Sequence, residues 1–169
     1  MARLYLWRHA KARWAEPGDR DFDRALKKSG RADAEAMAGM MAANGYVPSL
    51  VLCSTARRTR ETWEVAAPTF PDAELVYAET LYSTDSAGYL DIVRERGRGD
   101  ALAVVGHNPM IEDLAIVLAG RGGATARHMA DGFPTCGLAV LDFATDFAAI
   151  APGKGELVAF LTPRAIDED

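Results

Sequence analysis

The chain has 169 residues, a formal net charge of −5, 49% hydrophobic and 25% charged residues, and two cysteines. That is the make-up of one ordinary globular domain with its own core, and it excludes a disordered chain, a collagen and a disulfide scaffold. The negative balance argues against a nucleic-acid binder, since displacing phosphate counterions needs net positive charge. No run approaches the roughly 20 apolar residues that span a bilayer, and the first seven residues lack the core and cleavage site of an export signal. Cys53 and Cys136 are too few for a disulfide framework, so a reducing, cytoplasmic setting is expected.

Read in chain order, strand-like and helix-like segments alternate. Leu4 to Trp7 reads as a strand, and a polar loop follows from Lys11 to Lys28. Ser29 is expected to cap a helix from Gly30 to about Ala43, stopped by Asn44-Gly45. Ala34, Met37, Ala38 and Met41 share one face of it. Leu50 to Cys53 is a second strand, after which Ser54 caps a helix that Pro68 ends. Leu75 to Tyr77 is a short edge strand. Ser83 or Thr84 starts a helix closed by Gly97, and Ala101 to Val105 is the most apolar strand. Asn108 caps the next helix, with Pro109 in its first position and Gly120 at its end. Arg121 to Pro134 reads as a Gly-rich loop. Leu138 to Phe143 and Leu157 to Leu161 are two closing strands, antiparallel around Pro152-Gly153.

This alternation predicts a three-layer α/β/α fold with a mostly parallel central sheet and helices on both faces. One domain is expected over residues 1–169, with a core of about 3–162 and a solvated acidic tail at 165–169. Ligands of such sheets bind beyond the carboxyl ends of the strands. There the sequence places Arg8-His9, then Ser54 with Arg57, Arg58 and Arg60, then Gly106-His107-Asn108-Pro109. Two imidazoles and at least two guanidiniums would converge where a tetrahedral dianion could sit, with helix N-termini adding N–H donors. Such a site suits phosphoryl transfer to an imidazole, because neighbouring cations keep a histidine neutral and stabilise the charge on the transferring group. Arginines supply that charge stabilisation, so no metal or other cofactor is expected; no His/Cys/Asp group has zinc spacing.

Leu6-Trp7-Arg8-His9-Ala10-Lys11, the stretch Ser54 to Thr62, and Val105-Gly106-His107-Asn108-Pro109 with Glu112 together resemble the three motifs of the histidine phosphatase superfamily, whose fold is phosphoglycerate mutase-like. Arg-His-Ala-Lys with Trp14, and Asp23-Arg24-Ala25-Leu26 followed by Gly30, are most similar to its small SixA-like phosphohistidine phosphatases. The resemblance implies that His9 is the nucleophile, that Arg8 and Arg58 bind the phosphoryl oxygens, and that His107 completes the pocket. Arg58 is preferred to Arg57 because it lies four residues from both Ser54 and Thr62. Lys11, Ser54 and Asn108 are candidate substrate contacts. Glu79 is the possible general acid, with Asp85 as its neighbour, although SixA-like members largely lack that acid. His128 is read as a loop residue and Arg57 as a surface residue.

The expected activity is a metal-independent phosphatase working through phospho-His9 on a phosphohistidine protein. The alternatives are a small-molecule phosphomonoesterase, a phosphoglycerate mutase-like enzyme, or, more distantly, a phosphoprotein-binding module with little turnover. Expected partners are a phosphorylated protein or a small phosphorylated substrate, with no nucleic acid and no membrane.

Overall fold

The structure is a computed structural model, and it describes residues 1–120 and 122–163. The acidic tail at 165–169 lies outside the described residues.

Six strands form one sheet: β1 (Ala2–Arg8), β2 (Leu50–Cys53), β3 (Glu74–Tyr77), β4 (Ala101–Gly106), β5 (Leu138–Phe143) and β6 (Glu156–Leu161). Their order is β3-β2-β4-β1-β5-β6. The first four in that order are mutually parallel. β5 runs antiparallel to β1, and β6 runs antiparallel to β5, with a register irregularity at Val140 and Leu141. The helices are α1 (Lys28–Ala43), α2 (Arg57–Ala66), α3 (Thr80–Ser83), α4 (Ser86–Arg96), α5 (Met110–Ala119) and α6 (Gly123–His128).

The strands carry apolar side chains on both faces, as a covered sheet requires. Alternation then sorts them. Tyr5, Trp7, Val51, Cys53, Ala103 and Val105 pack with Met37 and Met41 of α1 and Trp63 of α2. Leu4, Leu6, Leu52, Leu102 and Val104 pack on the other face with Tyr89 and Val93 of α4 and Leu114 and Leu118 of α5. The expected three layers are therefore present. Both cysteines are buried as free thiols. No helix among the described residues is long and apolar enough to cross a membrane.

Several boundaries differ from the sequence expectation, each for a local reason. α1 starts at Lys28 and its N-cap is Lys27, so Ser29 lies inside the helix. The Lys27 N–H donates to the Lys11 carbonyl at 2.9 Å, which docks the helix start on the loop after β1. Gly30 makes that docking possible, because a Cβ there would run into the Lys11 carbonyl oxygen. Ser54 is not the cap of α2, which begins at Arg57 behind Ala56. Asp85, rather than Ser83 or Thr84, caps α4 by accepting the Gly88 N–H at 2.9 Å. α5 begins at Met110, with Pro109 as its N-cap. The Asn108 side-chain oxygen accepts the Glu112 N–H at 3.2 Å, so it still serves the first turn. Residues 123–128, expected as loop, form α6.

Candidate active site

The carboxyl ends of β1, β2 and β4 meet at one place. The His9 N–H donates to the Gly106 carbonyl at 3.0 Å, and the His9 carbonyl accepts the Cys136 N–H at 2.9 Å. The Ala10 N–H donates to Thr62 Oγ1 at 3.0 Å, and that hydroxyl donates to the Arg58 carbonyl at 2.7 Å. One threonine thus ties the turn after β1 to the first turn of α2, and it brings His9 and Arg58 to the same pocket.

The His9 ring nitrogen Nδ1 lies 2.7 Å from the Ala10 carbonyl oxygen. A carbonyl can only accept, so Nδ1 carries the proton and Nε2 holds a free lone pair. The His9 and His107 rings lie 5.4 Å apart, centroid to centroid. His107 Nε2 is 2.8 Å from Ser54 Oγ. That hydroxyl oxygen also accepts the Ala56 N–H; with its hydrogen donated to Nε2, the ring proton of His107 sits on Nδ1. The His107 backbone N–H donates to the buried Tyr89 hydroxyl at 3.2 Å, which itself donates to the Leu81 carbonyl.

Arg8 and Arg58 complete the cluster. Arg8 Nη1 donates to the Phe133 carbonyl at 2.8 Å. Arg58 Nη1 and Nη2 donate to the Asp21 carbonyl and to Asp21 Oδ2, at 2.9 and 3.1 Å. Arg8 Nε, Arg58 Nε and His107 Nδ1 are buried and have no hydrogen-bond partner among the described residues. Buried donors are almost always satisfied, so three orphans beside one another mark where an anion's oxygens belong.

Electrostatics agree with that geometry. Burial, then the charges of Arg58 and Arg8, bring the His9 pKa down to about 4 despite the opposing pull of the Ala10 carbonyl. Burial, then His9 and Arg58, bring His107 to about 3. Both rings are therefore neutral near pH 7, the state in which an imidazole can act as a nucleophile.

A family model described as histidine phosphatase superfamily (branch 1) matches residues 4–85. A candidate phosphohistidine phosphatase SixA from Agrobacterium tumefaciens is 38% identical, with a TM-score of 0.85, over 96% of this chain and 98% of its own. The chain belongs to the histidine phosphatase superfamily. A second SixA candidate, from Nakamurella multipartitia, is 28% identical with a TM-score of 0.83, over 96% of each chain. An uncharacterized protein of Mycobacterium tuberculosis is 40% identical over 161 residues, covering 93% of this chain and 99% of its own.

In this histidine phosphatase the other residues expected from sequence are placed differently from one another. Ser54 is buried against His107. Asn108 turns its amide nitrogen to the Phe133 carbonyl at 3.1 Å and so braces the turn that Arg8 also holds. Lys11 is exposed, on a groove of about 650 Å³ shared with His128, Asp131 and Phe160. Glu79 is exposed at the start of α3, and among the described residues no hydrogen bond or ion pair ties it to the cation cluster. Arg57 is half-exposed beside Glu61, 3.6 Å away, whereas Arg58 points inward. Trp14 is 82% exposed and lies against Arg24, on a second groove of about 570 Å³.

Sequence reasoning missed Asp21, Tyr82, Tyr89 and Phe133. Asp21 begins a single 3₁₀ turn, Asp21–Asp23, inside the polar loop. Its carboxylate accepts from Arg58, from Tyr82 Oη at 2.8 Å and from Arg24 at 3.0 Å. The Tyr82 ring stands edge-on to His107 at 5.6 Å. No local pattern announces any of these contacts; the only hint is an aspartate with nothing to cap.

Proposed function

We propose that this histidine phosphatase hydrolyses phosphohistidine on a protein substrate through a phosphorylated His9. The observation that carries the reading is the His9 ring: the Ala10 carbonyl pins its proton on Nδ1, leaving the Nε2 lone pair among Arg8, Arg58 and His107.

The substrate phosphoryl binds with its oxygens on the unpartnered N–H groups of Arg8, Arg58 and His107. His9 Nε2 forms a bond to phosphorus in line with the departing group, whose bond to phosphorus breaks and whose electron pair leaves with it. The guanidiniums stabilise the charge on the equatorial oxygens as it redistributes. Water then forms the next bond to phosphorus, the electron pair of the N–P bond returns to Nε2, and a water proton passes to solvent or phosphate. Arginine and imidazole supply all the charge stabilisation in this scheme, so a chelator leaves the rate unchanged.

Two points support the substrate class. Both SixA candidates match 96% of this chain. A departing imidazole needs less help than an alkoxide, which fits the detached position of Glu79. Free, buried thiols accord with a cytoplasmic site of action.

The test is a chromogenic phosphate ester and a phosphohistidine protein, each with and without chelator. An acid-labile, base-stable phosphoenzyme is expected, and His9→Ala should remove it and lower turnover by about a thousandfold or more. Activity that persists in His9→Ala, or that disappears with chelator, overturns the mechanism.

A further inference from the structure

The Asp21 carboxylate is the feature of the pocket that simple phosphate binding does not call for. It sits on the open side, its side chain 52% exposed, on the outer edge of the Arg58 guanidinium. Arg58 is shared: its Nε is buried and without a partner among the described residues, while its two terminal nitrogens hold Asp21, and Tyr82 touches both Asp21 and the His107 ring. A carboxylate one guanidinium width from a phosphoryl dianion repels it, and it would repel a leaving group that brought a second anion. The arrangement becomes favourable when the leaving group brings a positive charge.

We propose that Asp21 is the leaving-group contact of this enzyme, its carboxylate accepting the distal ring N–H of a phosphoimidazolium as that ring departs. This deepens the phosphohistidine reading above and rests on it. An imidazole bonded to phosphorus through one nitrogen carries its other nitrogen on the far side of the ring, away from His9 and toward the open side. Protonated there, it is both a hydrogen-bond donor and a cation. Asp21 has room for it: a carboxylate offers about four acceptor positions, and Arg58, Tyr82 and Arg24 occupy three.

The same contacts fix what Asp21 cannot do. All three neighbours donate to it. Burial alone would raise its pKa, but the hydrogen bonds from Tyr82 and Arg24 and the charge of Arg58 outweigh burial and bring it to about 2. It stays ionised at neutral pH, so it accepts a hydrogen bond and does not protonate an ester oxygen.

The step balances without proton transfer. His9 Nε2 bonds to phosphorus, the bond from phosphorus to the substrate nitrogen breaks, and its electron pair neutralises the imidazolium. The proton remains on the distal nitrogen, held by Asp21, and neutral imidazole leaves.

The experiment compares kcat/KM for phosphohistidine with kcat/KM for p-nitrophenyl phosphate, whose leaving group departs as an anion without a proton. In Asp21→Asn the ratio is expected to fall about tenfold or more, the range of one hydrogen bond to a charged group. Asp21→Glu should restore part of it. If Asp21→Asn does not fold, Asp21→Ser serves in its place. A ratio that stays at the wild-type value, with both rates falling together, overturns the proposal and leaves Asp21 as a residue that orients Arg58. Wild-type protein that hydrolyses the ester but not phosphohistidine overturns the substrate reading itself, and this inference with it.

Discussion

The two halves of the sheet contribute in different ways. The parallel half, β2-β4-β1, presents side chains at its carboxyl ends: Arg8 and His9, then Ser54 with Arg58, then His107. The antiparallel flank contributes main chain. The segment just before β5 gives the Phe133 carbonyl to Arg8 and Asn108, the Cys136 N–H to His9, the Cys136 carbonyl to Trp7 and the Gly137 carbonyl to Arg8. One half holds the groups proposed to react and the other holds them still. Activity and stability should therefore separate when each half is altered.

The largest effect belongs to the parallel half. Arg58→Ala removes one of the two guanidiniums, and kcat/KM is expected to fall about 10²–10³-fold, with a change in melting temperature much smaller than that of a core truncation. Its neighbour is the control: Arg57→Ala, on the half-exposed side of the same turn, should alter kcat/KM by less than about twofold and stability by less than about 0.5 kcal/mol. Steady-state kinetics and thermal melts on both variants read this directly. Equal losses would mean that position on the turn, rather than contact with the pocket, matters.

Phe133→Ala tests the flank. Its ring is buried and meets Phe160 edge-on at 5.0 Å, so truncation is expected to lower stability by about 3–5 kcal/mol. The carbonyl that holds Arg8 survives the substitution but loses its anchor, so activity should fall together with the melting temperature. A variant that melts early yet keeps full kcat/KM would show that Arg8 needs no such brace.

A smaller effect follows from the buried imidazoles. Unfolded, each histidine takes up its proton near pH 6.5; folded, His9 does so near 4 and His107 near 3. Between those limits the unfolded chain binds more protons, so stability rises with pH. The full contribution is present above about pH 6.5 and is lost as pH falls toward 4. Thermal melts at pH 7.5 and pH 5 should differ in that direction, and His107→Gln should reduce the difference.

The split between halves also explains what was legible in the sequence. His9, Arg8, Arg58 and His107 could be located because side chains at strand ends leave a residue signature. The strands and most helices followed from apolar alternation and from Gly and Pro punctuation. Phe133 and Asp21 left no such mark. Each contributes a main-chain carbonyl, which every residue carries, to an arginine 125 or 37 positions away. The start of α1 was misplaced for a similar reason: its first turn docks on the Lys11 carbonyl, a contact that overrode the capping preference of Ser29. α6 was hidden because Gly122-Gly123 reads as a loop, although Gly123 lies in left-handed space at a φ of 57° and opens the helix.

The supporting role of residues 133–137 has a consequence for how this protein can diverge. Carbonyls and amides survive most substitutions, so descendants can change the side chains of that segment while keeping the pocket intact, provided the volume at Phe133 is filled. Cys136 and Gly137 are exceptions to that freedom. A Cβ on Gly137 would press on the Pro134 carbonyl and the Phe133 ring. The Cys136 φ of 63° is a backbone shape that β-branched side chains resist, so drift there should run toward glycine or asparagine. On the proposed mechanism the other half has little latitude of any kind, because each of its groups is used for its atoms.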